Sequence, residues 1–144
     1  MREVVRSALM PYSAAQMYEV VNDVTDYPRF LPWCVKSEIV TSSPKEMVAR
    51  LYLAKGRIQQ SFTTRNKLDP SHHIHILLVD GPFALLEGDW HFTQLGDDGC
   101  KIDMNLKFEF DNRLMNATLG KVFTTATDKL VDAFCERANE LYGR

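Results

Sequence analysis

A chain of 144 residues, 45% hydrophobic and 25% charged, is long enough to bury a core without disulfide or metal staples and too apolar to be disordered. A net charge of -2 excludes a molecule that is basic overall and grips nucleic acid with its whole surface, and three isolated cysteines, Cys34, Cys100 and Cys135, imply neither a disulfide framework nor a zinc site. The amino-terminal residues hold no apolar run of signal-peptide length and no stretch approaches a membrane span, so one domain over residues 1–144, in the cytoplasm, is expected.

Residues 3–10, rich in Val and Leu and ended by Pro11, read as a first strand. Ser13 and Gln16 then stand at capping-box spacing, with Tyr12 and Met17 at the spacing of a hydrophobic staple, and together they start a helix. Its apolar stripe is Met17, Val20, Val21 and Val24, and a second short helix or turn runs from Asp26 to about Phe30, stopped by Pro32.

From Trp33 to Phe110 the period changes to two, with breaks at Ser42-Ser43-Pro44, Lys55-Gly56, Asp69-Pro70-Ser71, Gly81-Pro82 and Gly96-Asp97-Asp98-Gly99, which makes six strands. The last is the clearest: Cys100, Ile102, Met104, Leu106, Phe108 and Phe110 alternate with polar residues, so one face is buried and one is wet. From about Asn112 to Tyr142 the helical period returns, with Met115, Leu119, Val122, Phe123, Ala126, Leu130, Ala133 and Phe134 on one face and Gly120 as the expected bend. Strand, two helices, six strands and a long helix argue for an α+β fold in which a curved antiparallel seven-stranded sheet holds the C-terminal helix. Such a sheet can enclose more space than the helix fills, and a hollow interior would make truncation of Phe123 cheaper than in a solid core.

Charge is unevenly placed. Residues 45–67 carry six basic side chains against Glu46 alone, and residues 80–98 carry five acidic ones with no Lys or Arg. Arg57, Arg65 and Lys67 are expected on one face of one strand with Arg50 on its neighbour, a set suited to phosphate contacts, although solvated surface charge is the default for such positions. His73 and His75 share a strand parity, but no third ligand at metal-site spacing follows them, so no metal ligands are assigned. Cys34 as a nucleophile needs a base such as His91 at its side; a buried, inert thiol is the expectation, and no catalytic residue is assigned.

The run Tyr27-Pro28-Arg29-Phe30-Leu31-Pro32-Trp33-Cys34, with Phe62-Thr63-Thr64-Arg65-Asn66, Asp80-Gly81-Pro82-Phe83 and Trp90-His91-Phe92, resembles the coenzyme Q-binding branch of the START-like superfamily. Within that branch the chain is most similar to the bacterial ribosome association toxins, and the likeness extends from Pro11-Tyr12-Ser13 through the C-terminal helix. The resemblance implies a helix-grip fold around an apolar tunnel, and for the toxins binding to the large ribosomal subunit that blocks its pairing with the small one, with a small antitoxin protein as a further partner. Two alternatives follow from the same superfamily: a coenzyme Q-binding protein that supports respiration without touching the ribosome, and a cyclase-like enzyme.

The reading reached is a non-enzymatic START-like protein that requires no cofactor. Its cavity, lined by Phe62, Phe83, Trp90, Phe92, Leu106, Phe108, Leu119 and Phe123, is expected to take ubiquinone or another hydrophobic ligand, and Arg50, Arg57, Arg65 and Lys67 are expected to meet the ribosome.

Overall fold

The structure, a computed structural model, describes residues 1–143 apart from the side chains of Lys55 and Ile58. Strand β1 (Arg2–Met10) is followed by helix α1 (Ala14–Asn22), a 3-10 turn (Val24–Asp26) and the one-turn helix α2 (Tyr27–Phe30). Strands β2 (Cys34–Ser43), β3 (Glu46–Lys55), β4 (Ile58–Asp69), β5 (His73–Asp80), β6 (Phe83–Leu95) and β7 (Gly99–Phe110) come next, and helices α3 (Arg113–Asp128) and α4 (Leu130–Tyr142) end the chain. All strand pairs are antiparallel, in the order β1-β7-β6-β5-β4-β3-β2, so the first strand closes on the last.

The α1 start forms as its residues dictate. Ser13 Oγ accepts from the Gln16 backbone N–H at 3.1 Å, and Gln16 Oε1 accepts from the Ser13 N–H at 2.9 Å, so two orphan donors of the first turn are satisfied reciprocally. The inner face of the sheet repeats the alternation of β7: Ile74, Leu86, Trp90, Phe92 and Ile102 to Phe110 at every second position are buried. Curvature comes from irregular register in β2, between Thr63 and Thr64 of β4, and between Phe83 and Leu85 of β6. Gly88 adds to it, because a Cβ there would stand 2.9 Å from Leu106 Cδ1 and 3.0 Å from the Asn105 carbonyl on the neighbouring strand.

The C-terminal helix lies in the concavity with Leu119, Phe123, Thr127, Val131, Phe134 and Ala138 buried, a spacing of four and three that keeps one stripe on the sheet. It breaks at Lys129 and not at Gly120. Thr118, Thr124, Thr125 and Thr127 each donate a hydroxyl hydrogen bond to the carbonyl four residues back, a pattern that bends helices, and the turn after them closes with an i–3 bond from the Lys129 N–H to the Ala126 carbonyl. Gly120 instead makes room for the Arg2 guanidinium, which reaches Thr124 Oγ1 at 3.2 Å and ties β1 to α3. No helix among the described residues is long and apolar enough to cross a membrane.

Candidate functional site

Between the helix and the sheet the packing leaves two apolar cavities, of about 90 Å³ and about 40 Å³. Trp33, Phe62 and Phe123 border both, so these three rings form the wall between them. The larger is closed by Tyr27, Leu51, Ile76, Leu86, Leu130 and Phe134 among others, and its polar lining is Thr64, Asn66 and Thr127. Outside, a cleft of about 280 Å³ runs between Leu31, Pro32 and Trp33 on one side and Val122, Ala126, Lys129 and Ala133 on the other. Trp33 borders the cleft too and therefore stands between solvent and the interior.

Six of the eight expected lining residues reach a cavity: Phe62, Trp90, Leu106 and Phe123 the larger, and Phe83 and Leu119, with Phe62 and Phe123 again, the smaller. Phe92 and Phe108 reach neither. Phe108 is buried edge-on against Phe123 with ring centroids 4.7 Å apart, and Phe92 packs between Tyr18 at 5.6 Å and Trp90 at 6.4 Å. The expected lining set leaves out Trp33 and the polar trio. Thr64 and Asn66 have the same strand parity as the buried Phe62 and Leu68, and a polar residue in an inward register is the signal that finds them. Thr64 Oγ1 donates to Asn66 Oδ1 at 2.9 Å, which orients the amide and leaves its N–H donors for a cavity ligand. Tyr27 is no such donor: its hydroxyl is given to the Val21 carbonyl, and burial pushes the phenol up from its ordinary value.

On the outer face Arg50, Arg65 and Lys67 do stand on adjacent strands, since Arg50 pairs with Thr63, Val48 with Arg65 and Glu46 with Lys67. Arg57 does not join them. It occupies the turn between β3 and β4, where Gly56 has φ +60 and Lys55 pairs directly with Ile58, so it projects from the tip of the hairpin. Eight residue steps of about 3.3 Å separate it from Arg65, so the two belong to different ends of the strand. The patch is also less basic than the local count suggests. Arg65 Nε is 2.6 Å from Glu46 Oε1, and Glu38 of β2 stands opposite Arg50, taking a hydrogen bond from Tyr52 that holds its carboxyl below the ordinary range.

Cys34 and His91 are on opposite faces of the sheet. Cys34 is buried beneath it, its thiol 3.5 Å from the Lys36 carbonyl, and burial pushes the thiol up to about 11; His91 stacks on His73 outside. His73 and His75 do share a face, and the third metal-ligand type that local spacing lacks is supplied from β6 by Asp89, at hydrogen-bond distance from both. Partial burial works to raise the Asp89 carboxyl, but hydrogen bonds from His75 and His73 and their charge outweigh it and hold the group below its ordinary value.

A curved antiparallel sheet gripping a long C-terminal helix around an apolar interior defines a START-like helix-grip protein. The model of the family described as polyketide cyclase / dehydrase and lipid transport matches residues 10–135. Over 138 residues the chain is 49% identical to the ribosome association toxin RatA of Pseudomonas aeruginosa, covering 96% of each, and over 142 residues it is 46% identical to the protein of that name in Escherichia coli K12, covering 99% of this chain and 90% of the relative. The chain belongs to the polyketide cyclase / dehydrase and lipid transport family and, within it, to the group of the ribosome association toxins. The mitochondrial coenzyme Q-binding protein COQ10 homolog B of Xenopus laevis is a more distant relative, 28% identical over 99% of this chain and 60% of its own. Among solved structures, an 18 kDa protein of Caulobacter crescentus superposes with a TM-score of 0.76 at 28% identity over the whole of both chains. The ZhuI aromatase/cyclase of Streptomyces sp. R1128 gives 0.78 at 19% identity over 96% and 93%, a likeness of fold alone.

Proposed function

We propose that this protein acts in the cytoplasm without catalysing a reaction, binding the large ribosomal subunit and opposing its pairing with the small one. The observation that carries this reading is identity of 44% to 49%, sustained over nearly the whole chain, to proteins named for ribosome association. Arg50, Arg65 and Lys67 supply cations at fixed spacing on a stiff sheet, and Arg57 extends the reach from the hairpin tip. Cations so placed neutralise phosphates and position a protein on RNA without reading bases. The non-catalytic reading follows the toxin-named relatives; of the cavity's polar groups Thr64, Asn66, Thr127 and Tyr27, only Tyr27 ionises, and its hydroxyl is given to the Val21 carbonyl. A small antitoxin protein is the partner that the toxin name implies.

A second reading, compatible with the first, is that the interior holds a quinone or similar lipid. It is favoured by the amide donors of Asn66 in a cavity lined mostly by apolar side chains, which suit the carbonyl of a quinone head while the tail buries surface at roughly 25 cal/mol per Å². At about 90 Å³ and about 40 Å³ the two cavities fall below the roughly 300 Å³ at which small-molecule pockets begin. A ligand of that size therefore needs the interior to widen, and Trp33, which borders both cavities and the outer cleft, stands where they would join.

The test of the main reading is subunit reassociation. Separated subunits are brought to associating magnesium with and without the protein and resolved on a sucrose gradient. The expected result is protein travelling with the large subunit and loss of the associated peak. An unchanged associated peak with the protein left at the top of the gradient overturns it.

A further inference from the structure

The outer face of the sheet carries a side-chain cluster that neither the cavity nor the basic strands use. β5 pairs with β6 so that His73 faces His91 and His75 faces Asp89. Asp89 Oδ1 is consequently 2.7 Å from His73 Nε2 and 2.7 Å from His75 Nδ1, and the remaining nitrogen of His75, Nε2, is 3.4 Å from Glu87 Oε2. Candidate ligand atoms of His73, His75 and Asp89 lie within 4.8 Å of one another.

Both nitrogens of His75 thus face carboxylate oxygens, which at neutral pH only accept hydrogen bonds. A neutral imidazole has one N–H, so it satisfies one of the two and turns a lone pair toward the other. Either a second proton resolves that conflict or a metal ion does, seated between His75 Nδ1, His73 Nε2 and Asp89. With the ion in place, His75 Nε2–H donates to Glu87 Oε2, the arrangement by which an outer carboxylate fixes the ring of a metal-bound histidine.

We propose that His73, His75 and Asp89 bind one divalent transition-metal ion of the zinc type, with Glu87 as the outer partner. Two imidazoles and one carboxylate match zinc and its neighbours, whereas calcium and magnesium require mostly oxygen ligands. Ligands about 2.1 Å from a tetrahedral ion lie about 3.4 Å apart, so the 2.7 Å pairs open by less than about 1 Å, within reach of side-chain rotation. The side chains are 27% to 33% exposed, drawn in from bulk solvent but open to an ion from it. The seat is also mechanically significant: the β5–β6 ladder has five paired positions, His73–Leu77 against Glu87–His91, fewer than any other pairing in the sheet, and the ion bridges it.

Protein stripped with chelator and titrated with Zn²⁺ against a chromophoric competitor tests the site, with Co²⁺ as a spectroscopic probe. The expected result is one ion per chain, a visible Co²⁺ absorption of tetrahedral type, and a higher melting temperature with Zn²⁺, because an ion that binds only the folded state stabilises it by mass action. His75→Gln and Asp89→Asn should each weaken Zn²⁺ binding by about 100-fold or more, and Glu87→Gln by about 10- to 100-fold. His72→Gln should change nothing, since the His72 side chain is 73% exposed on the turn outside the cluster. Circular dichroism in chelator confirms that each variant is folded, and His73→Gln replaces any that is not. No saturable binding, or full affinity retained in any folded variant of the three ligands, overturns the proposal.

Discussion

The Cys34 thiol, at the start of β2, is buried and lies 3.5 Å from the Lys36 carbonyl, and Cys135 on α4 is half-buried. Burial, in both cases the leading cause, pushes each up to about 11 from the ordinary 9. The sign follows: the fold keeps these thiols neutral while the unfolded chain ionises above about 9, so this contribution to stability is complete below pH 9 and is lost as pH rises toward 11. At pH 8 the thiolate fraction is about 100-fold lower than in the unfolded chain, and alkylation of the native protein should be slower by at least that factor. Mass-spectrometric labelling kinetics with and without urea measure it, and fast native labelling of Cys34 would restore the case for a reactive thiol. The burial of Cys34 was the sequence expectation, drawn because no base could be placed beside it, and the thiol is buried. The partner of His73 and His75 was not legible, because Asp89 lies 14 and 16 residues away and only the β5–β6 register brings it across.

Phe123 of α3 has the edges or faces of four rings around it, Phe62, Phe83, Phe108 and Phe110, with centroids between 4.7 Å and 6.1 Å. A helix residue so surrounded is part of a filled core, even though it also walls both cavities. Phe123→Ala should therefore cost about 3–5 kcal/mol in chemical denaturation, as in a solid interior, and merge the two cavities into one. A cost below about 2 kcal/mol would favour the hollow interior expected of a sheet that encloses more space than its helix fills. Element by element, the strands were readable because β7 alternates strictly between turn signals, and α1 because its capping box is local. The helix break was misplaced for a physical reason: a lone glycine is a plainer signal than four threonines whose hydroxyls turn back on their own helix, yet Gly120 serves the Arg2 contact and the bend falls at Lys129.

Across the whole molecule, antiparallel pairing lays the basic strands β3 and β4 beside the acidic residues of β6 with only β5 between them. Sequence composition shows the two sectors but not their contacts: Glu38 reaches the Arg50 position from β2, and Arg57 leaves the patch at the hairpin turn. The cavity was legible as an inner face of aromatic residues, and its partition by Trp33, Phe62 and Phe123 was not, since it depends on how three rings from three distant segments meet. Ribosome contact through Arg50, Arg65 and Lys67 requires an electrostatic signature that an apolar ligand site lacks, because each neutralised phosphate releases counterions.

The most direct measurement is equilibrium co-sedimentation with purified large and small subunits across rising monovalent salt, for the native protein and for a variant carrying Arg65→Glu and Lys67→Glu. Binding to the large subunit alone is expected, at one copy per particle, falling steeply with salt and lost in the variant while its fold and any quinone binding persist. Absence of large-subunit binding at low salt, or equal binding to both subunits, would contradict this reading.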